Sequence, residues 1–448
     1  MMIPVLPLLA LFSVSSPIAH ARTSSLKSMA VCSGHRVSIP LPSHAWLPLN
    51  HRRGPCSPLP SSATASMPST ADVLRRDRLR ADSIRQGLNG TAGAKRGDAT
   101  VPTTLGSSLD TLEYVVTVGL GTPAVTQTVL MDTGSDVSWV QCRPCPAATC
   151  HPQKDKLFDP ARSATYSAFR CGSAACKGLG RHLYGNGCSR RGRCQYAVRY
   201  GDGSNTTGTY GADKLTLNPA RAVDRFRFGC SHAAQLFTDM ADGLVGLGGG
   251  SPSLVSQAGT KAFSYCLPPT PSYSGFLTLG APRAASSRFA VTPMYRRSDA
   301  GTFYLVLLRG IAVAGRRLRV PPSAFRAGAV MDSGTVVTRL PPEAYRALRA
   351  AFRKEMRMYP RRAVPPSSLL DTCFNLTGDV KVPSVSLVFE RGATVKLDAS
   401  GIILRGCLAF ASAGDDGAPG IIGNLQQRTL EVLYDVGGGA VGFRRGAC

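Results

Sequence analysis

Acidic residues are scarce in this 448-residue chain: 27 Asp and Glu stand against 52 Lys and Arg, for a formal charge of +25. A surplus of that size suits nucleic acid, an anionic cell wall or acidic substrates. The basic residues are spread, as in Arg316-Arg317-Leu318-Arg319 and Arg361-Arg362, and no aromatic interleaving builds a nucleic-acid motif around them. The charge therefore reads as surface character, and no nucleic-acid partner is expected. Also missing is any apolar run approaching the roughly 18 residues of a membrane-spanning helix, so no membrane partner is expected. Neither Gly-x-Ser-x-Gly nor His-Glu-x-x-His occurs, which argues against the serine and metal hydrolases built on those motifs. Helical periodicity is sparse as well.

What is plentiful is glycine, proline and cysteine. With 47 Gly, 32 Pro and 43% apolar residues, the chain reads as globular, β-rich and full of turns. The apolar run Val5 to Val14, followed by Ala19-His20-Ala21, predicts a signal peptide over residues 1–21, although no Lys or Arg precedes the run. No apolar tail follows at Gly446-Ala447-Cys448, so export as a soluble protein is expected. Fourteen cysteines in an exported chain point to disulfides, with Cys32 and Cys56 in the leader and the remainder in the body. Cys142, Cys145, Cys150 and His151 imitate a zinc spacing, but an oxidising compartment favours bridges, and no metal is expected. Connectivity is not readable at this stage.

Between Arg22 and about Ser108 the chain changes character. Pro40 to Pro68 is rich in Pro and Ser and reads as loosely ordered. Asp72 to Leu88 predicts a helix with Leu74, Ala81, Ile84 and Leu88 on one face and five arginines along it. Such a helix is either solvated or a basic segment lying over an acidic site. At Leu112 the texture becomes β, with strands predicted at Glu113 to Leu120 and Gln127 to Met131, and a hairpin over Gln195 to Leu217. In the second half a helix starts at Pro341-Pro342-Glu343 and places Tyr345, Leu348, Phe352 and Met356 on one face.

Two stretches carry chemistry. Val129-Leu130-Met131 delivers Asp132 into Thr133-Gly134-Ser135, and Ala329-Val330-Met331 delivers Asp332 into Ser333-Gly334-Thr335. Alone, each is an ordinary strand-to-turn junction. As a repeat they place two carboxylates on one plan, and Leu244-Val245-Gly246 and Ile421-Ile422-Gly423 extend the repeat. Two carboxylates within hydrogen-bond reach hold one proton between them, one pKa falling and the other rising. Such a pair offers a base and an acid at once, enough for direct attack of water on an amide. The hydroxyls of Thr133, Ser135, Ser333 and Thr335 are expected to hold the carboxylates coplanar. Gly134 and Gly334 are expected to let the two turns approach.

These motifs resemble the pepsin-like aspartic proteases, for which shared-proton behaviour is established. The resemblance covers about Leu112 to Cys448. Trp139 matches the family's tryptophan after the first Asp, and Tyr200 before Gly201-Asp202-Gly203 matches its flap tyrosine, in preference to Tyr196. The cysteine-dense insert Cys142 to Cys194, the words FGC and FSYCL, and the ending IIGNLQQRT with Cys448 resemble the plant nepenthesin-like branch; no saposin-like insert is present. The resemblance implies a mainly β, bilobal fold with a deep cleft. It also implies a pro-segment at 22–108, an N-terminal lobe at 109–285 and a C-terminal lobe at 286–448. Asp132 and Asp332 would be catalytic, polypeptides the substrates, and no cofactor is called for. The protein is expected to be a secreted monomer, made as a zymogen whose basic leader is released in acid. A silent inhibitor or binding protein of cell-wall enzymes is the alternative. Asn205 and Asn375 head glycosylation sequons, the former on the flap and not expected to be fully occupied; Asn89 heads another in the leader.

Overall fold

The computed structural model describes residues 45–52, 56–59, 70–88 and 114–448, except 181–183, 202, 236, 238–239, 270–272, 281–288, 299 and 415–416. The expected signal peptide, the Asn89 sequon and the expected boundary between lobes lie outside the described residues. The architecture is mainly β, as the composition implied. A 15-stranded sheet runs through both halves, accompanied by sheets of five, four and four strands. The halves meet where Ala262–Cys266 pairs antiparallel with Leu430–Asp435, bringing Tyr265 opposite Val432. Stacking of Phe263 on Tyr434 at 4.4 Å reinforces this seam, and the bridge Cys266–Cys448 closes it covalently.

Strand formation follows the alternation in the sequence. Tyr114–Leu120 turns Tyr114, Val116, Val118 and Leu120 into the main core, and Val125–Asp132 is fully buried from Gln127 onward. A strand covered on both faces reads as a continuous apolar run, and Val129-Leu130-Met131 is one. The helix Pro342–Glu355 starts on a proline and buries Ala344, Tyr345, Leu348 and Phe352. Its missing N–H falls where a first-turn donor has no helical partner.

One expectation fails in the leader. Pro40 to Pro68 is not loosely ordered throughout, because Ala45–His51 forms a strand between Ser274–Leu279 and Tyr114–Leu120. Leu47 and Leu49 point into the core while Pro48 between them is exposed. Two leucines at period two, framed by prolines, are too short a signal without the neighbouring strands that recruit them. The body cysteines form six bridges: Cys142–Cys230, Cys145–Cys150, Cys171–Cys188, Cys176–Cys194, Cys266–Cys448 and Cys373–Cys407. The zinc-like grouping is thus two disulfides.

Candidate active site

Both acid loops are built the same way. The strand carrying Asp132 runs parallel to Gly243–Gly246, with Gly246 opposite Asp132. The strand carrying Asp332 runs parallel to Gly420–Ile422. The glycine of each apolar-apolar-Gly element lies where the acid loop of its own half passes at close range. A Cβ at 246 would sit 2.5 Å from the Asp136 carbonyl oxygen, and one at 423 would sit 2.7 Å from that of Val336. No side chain fits at either place.

The two aspartates are buried and converge on one cation. Arg80, from the leader, donates from Nη2 to Asp132 Oδ1 at 2.6 Å and to Asp332 Oδ1 at 2.9 Å. Its Nε donates to Asp332 Oδ2 at 2.8 Å. Backbone N–H groups repeat the symmetry: Gly134 donates to Asp132 at 2.9 Å and Gly334 to Asp332 at 3.1 Å. A Cβ at 134 would lie 2.7 Å from Asp332 Oδ1, so Gly134 does permit the approach of the turns.

The hydroxyls divide differently from expectation. Only Thr335 donates a geometrically clear bond to its aspartate, at 2.5 Å, and Ser135 keeps its place beside Asp132. Thr133 and Ser333 instead bond each other's backbone across the two turns. Thr133 N donates to Ser333 Oγ at 3.1 Å, and Ser333 N donates to Thr133 Oγ1 at 2.9 Å. With the side chains turned toward the opposite loop, they clamp the loops together and leave the carboxylates to the glycine amides. Beneath them Asn424 is fully buried and donates from Nδ2 to the Ser333 carbonyl at 3.1 Å. Gln427 donates to the Asp332 carbonyl at 3.3 Å.

The electrostatics separate the pair. Burial opposes ionisation of Asp332, but Arg80, Thr335 and Gly334 outweigh it and hold this carboxyl below its ordinary value. Burial pushes Asp132 up against the pull of Arg80, and the neighbouring Asp332 charge adds to the push. Two buried acids with diverging affinities are what a shared proton requires.

Tyr200 sits at the hairpin tip between Cys194–Arg199 and Asn205–Asn218. Its hydroxyl accepts from Trp139 Nε1 at 2.7 Å. Burial, and then the Asp132 charge, push that hydroxyl well above the ordinary tyrosine value. Phe237, which sequence reasoning missed, packs on both, at 4.9 Å from Trp139 and 5.9 Å from Tyr200. Tyr196 is a core residue whose hydroxyl pairs with Thr206 at 2.8 Å. Gly203 closes the tip with a left-handed φ of 94°, whereas Asp202 lies outside the described residues. Asn205 is held inside the ladder opposite Arg199 and Gln235, while Asn375 is exposed.

The leader helix, Thr70–Leu88, lies between flap and second acid loop. Leu74 packs with Val336, Val337 and Leu425. Ala81, Ile84 and Leu88 pack with Leu305, Val330 and Ile421. The predicted apolar face is therefore the buried one, each large side chain contributing about 1.5–3 kcal/mol of transfer free energy. Gly201 takes the helix backbone at close range: a Cβ there would lie 2.8 Å from Arg80 Cα. Two further residues escaped the sequence reading. Asp77 accepts from the amides of Val336 and Val337 and pairs with buried Arg339 at 2.6 Å. Burial raises Asp77 above its ordinary value despite Arg339 and both amides. An acid on a helix noted for its arginines gave no signal, since its partner lies 262 residues away.

Residues 114–281 match the family model described as Xylanase inhibitor N-terminal, and residues 303–445 match Xylanase inhibitor C-terminal. An aspartyl protease family protein of Arabidopsis thaliana is 41% identical over 418 residues, 90% of this chain and 87% of its own. Aspartic proteinase nepenthesin-2 of Nepenthes gracilis is 33% identical over 392 residues, 83% of this chain and 84% of its own. The crystal structure of basic 7S globulin from soybean shares the fold, with a TM-score of 0.59 at 20% identity over 74% of this chain and 90% of its own. Similarity at this level along most of its length means that the chain belongs to the pepsin-like aspartic protease family of plants, alongside the nepenthesins.

Proposed function

We propose that the chain is the precursor of a secreted aspartic endopeptidase, with Asp132 and Asp332 as its catalytic pair and residues 22–108 as an inhibitory pro-segment. One observation carries this reading: both carboxylates, buried and on equivalent loops, converge on the guanidinium of Arg80. Where one cation reaches both acids, a water can reach both once the helix leaves.

The chemistry follows from the asymmetry of the pair. Asp332, which keeps the Thr335 hydroxyl and the Gly334 amide once Arg80 leaves, takes a proton from water as its oxygen attacks the amide carbon. Asp132, holding the shared proton, gives it to the carbonyl oxygen, and a neutral tetrahedral diol forms. Collapse returns a hydroxyl proton to Asp132, passes the proton on Asp332 to the leaving nitrogen, and breaks the C–N bond. Tyr200 and Trp139, tied by their hydrogen bond, form the wall under which a polypeptide threads. No step calls for a metal or cofactor.

Arg80 fills the place a scissile amide would occupy, so the docked precursor is silent. Arg80 is buried, so its bonds to the two carboxylates escape the solvent screening that weakens surface ion pairs. Sequons at Asn205 and Asn375, monomeric behaviour and delivery to the apoplast, or alternatively the vacuole, remain part of the proposal.

The matching family models are named for xylanase inhibitors, which keeps a second reading in play: a silent binding protein of cell-wall enzymes. Intact acid loops and flap tyrosine favour the protease. The processed protein is expected to cleave denatured globin at acid pH in a pepstatin-sensitive manner. Absence of such cleavage sinks the protease reading.

A further inference from the structure

Away from the cleft, the cysteine-dense insert frames an open groove of about 1480 Å³ that the proteolytic reading leaves unused. Its walls carry five exposed arginines: Arg143, Arg170, Arg190, Arg191 and Arg193. Asp159 is the one acidic residue of the lining, and it is occupied in capping its own turn through the Ala161 amide. Among the described residues none of the five guanidiniums meets a carboxylate within ion-pair distance. Elsewhere exposed arginines do find acids, as Arg316 finds Glu355 and Arg309 finds Glu390.

The arrangement opposes the fold's own interest. Arg170 faces Arg193 in an isolated antiparallel bridge, and like charges directly opposite are destabilising. The turn from Ser189 to Gly192, closed by a hydrogen bond of 2.9 Å, puts Arg190 and Arg191 side by side at its tip. The bridges Cys171–Cys188 and Cys176–Cys194 flank Arg170, Arg190 and Arg193, and Cys142–Cys230 and Cys145–Cys150 flank Arg143. Repelling charges are thus held on a cross-linked frame, which lowers the ordering cost when an anion arrives.

We infer that this groove binds a linear polyuronate, a sugar chain carrying a carboxylate on each residue. The volume exceeds the roughly 300–1,000 Å³ of a site for one small molecule, so the occupant is an extended chain. Guanidiniums on several walls suit repeated carboxylates, which arginine takes in bidentate fashion. Between them lie Ser167, Ser189 and Gln195, polar partners for sugar hydroxyls. Arginine clusters also take acidic peptides, but a peptide here gains neither an open edge of Cys194–Arg199 nor an apolar anchor pocket. Cys194–Arg199 is paired on both edges, and the ring of Tyr166 is already packed against Phe158 and Phe228.

The test is titration of the full-length protein with oligogalacturonate by calorimetry at low and moderate salt. It is independent of proteolytic activity. The variant Arg190→Gln/Arg191→Gln/Arg193→Gln is compared with Arg319→Gln/Arg346→Gln/Arg357→Gln, which removes equal charge from exposed sites elsewhere. The groove variant is expected to weaken binding by about tenfold or more, the control by less than about twofold, with affinity falling steeply as salt rises. Equal weakening by both variants means non-specific attraction to a basic protein and overturns the inference. Tighter binding of an oligoglutamate of equal charge overturns the ligand class, and no binding of oligogalacturonate overturns the site.

Discussion

Replacing Arg80 with methionine removes the cation from between the two aspartates while keeping the length and apolar stem of the side chain. Arg80 makes bonds of 2.6, 2.8 and 2.9 Å to the carboxylates. Removing one partner of a buried ion pair costs about 3–5 kcal/mol. Here the lower end applies, because the abandoned acids can share a proton and shed one charge. A loss of about 3 kcal/mol weakens docking roughly a hundredfold. The contacts of Leu74, Ala81, Ile84 and Leu88 remain, so the variant folds as the wild type does. The assay is the initial rate of cleavage of a quenched peptide by the full-length protein, with the leader shown intact on a gel. Arg80→Met precursor is expected to cleave about a hundredfold faster than wild-type precursor. Processed forms of the two are identical in sequence, so any difference belongs to docking. If the intact variant stays as silent as the wild type while the processed form cleaves, Arg80 is not what blocks the pair.

Asp77→Asn leaves Arg339 buried beside a neutral partner and is expected to loosen the helix by about 3–5 kcal/mol; limited proteolysis of the leader reads this, and unchanged protection refutes it. The pH dependence of docking follows Asp332, the carboxylate that Arg80 and Thr335 hold lowest. Asp332, held below its ordinary value of 3.8, supports docking above that value and withdraws support as pH falls through its lowered pKa. Proton uptake alone is therefore expected to free the helix only below about pH 3.8, which hydrogen exchange of the helix amides measures; release at pH 5 to 6 contradicts the assignment. Asp132→Asn and Asp332→Asn are each expected to lower processed activity by about 10²–10⁴-fold or more without loss of structure, checked by circular dichroism beside the rate. Removing the Cys266–Cys448 bridge, which closes a loop with a sequence separation of 182, is expected to cost about 2–5 kcal/mol by denaturant unfolding.

Periodicity and repetition settled a good deal in advance. The matching acid loops, the apolar-apolar-Gly elements, the hairpin bearing Tyr200 and both long helices are local patterns, and local patterns survive reading in one dimension. The apolar face of Thr70–Leu88 was legible for that reason. What that face covers was not, because Val336, Ile421 and Leu425 come from distant loops. The strand Ala45–His51 shows the limit for short elements: Leu47 and Leu49 have no strand signal until Ser274–Leu279 and Tyr114–Leu120 offer two open edges. The roles of the small hydroxyls depended on which way each loop turns its side chains, so Thr133 and Ser333 bind each other while Thr335 binds Asp332. Composition and motif determined by themselves that the chain is β-rich, cross-linked and carries two equivalent aspartates. Only tertiary structure decided that those aspartates share Arg80 and that Asp77 answers Arg339, because a buried charge is tolerated where its partner lies in space and not in sequence.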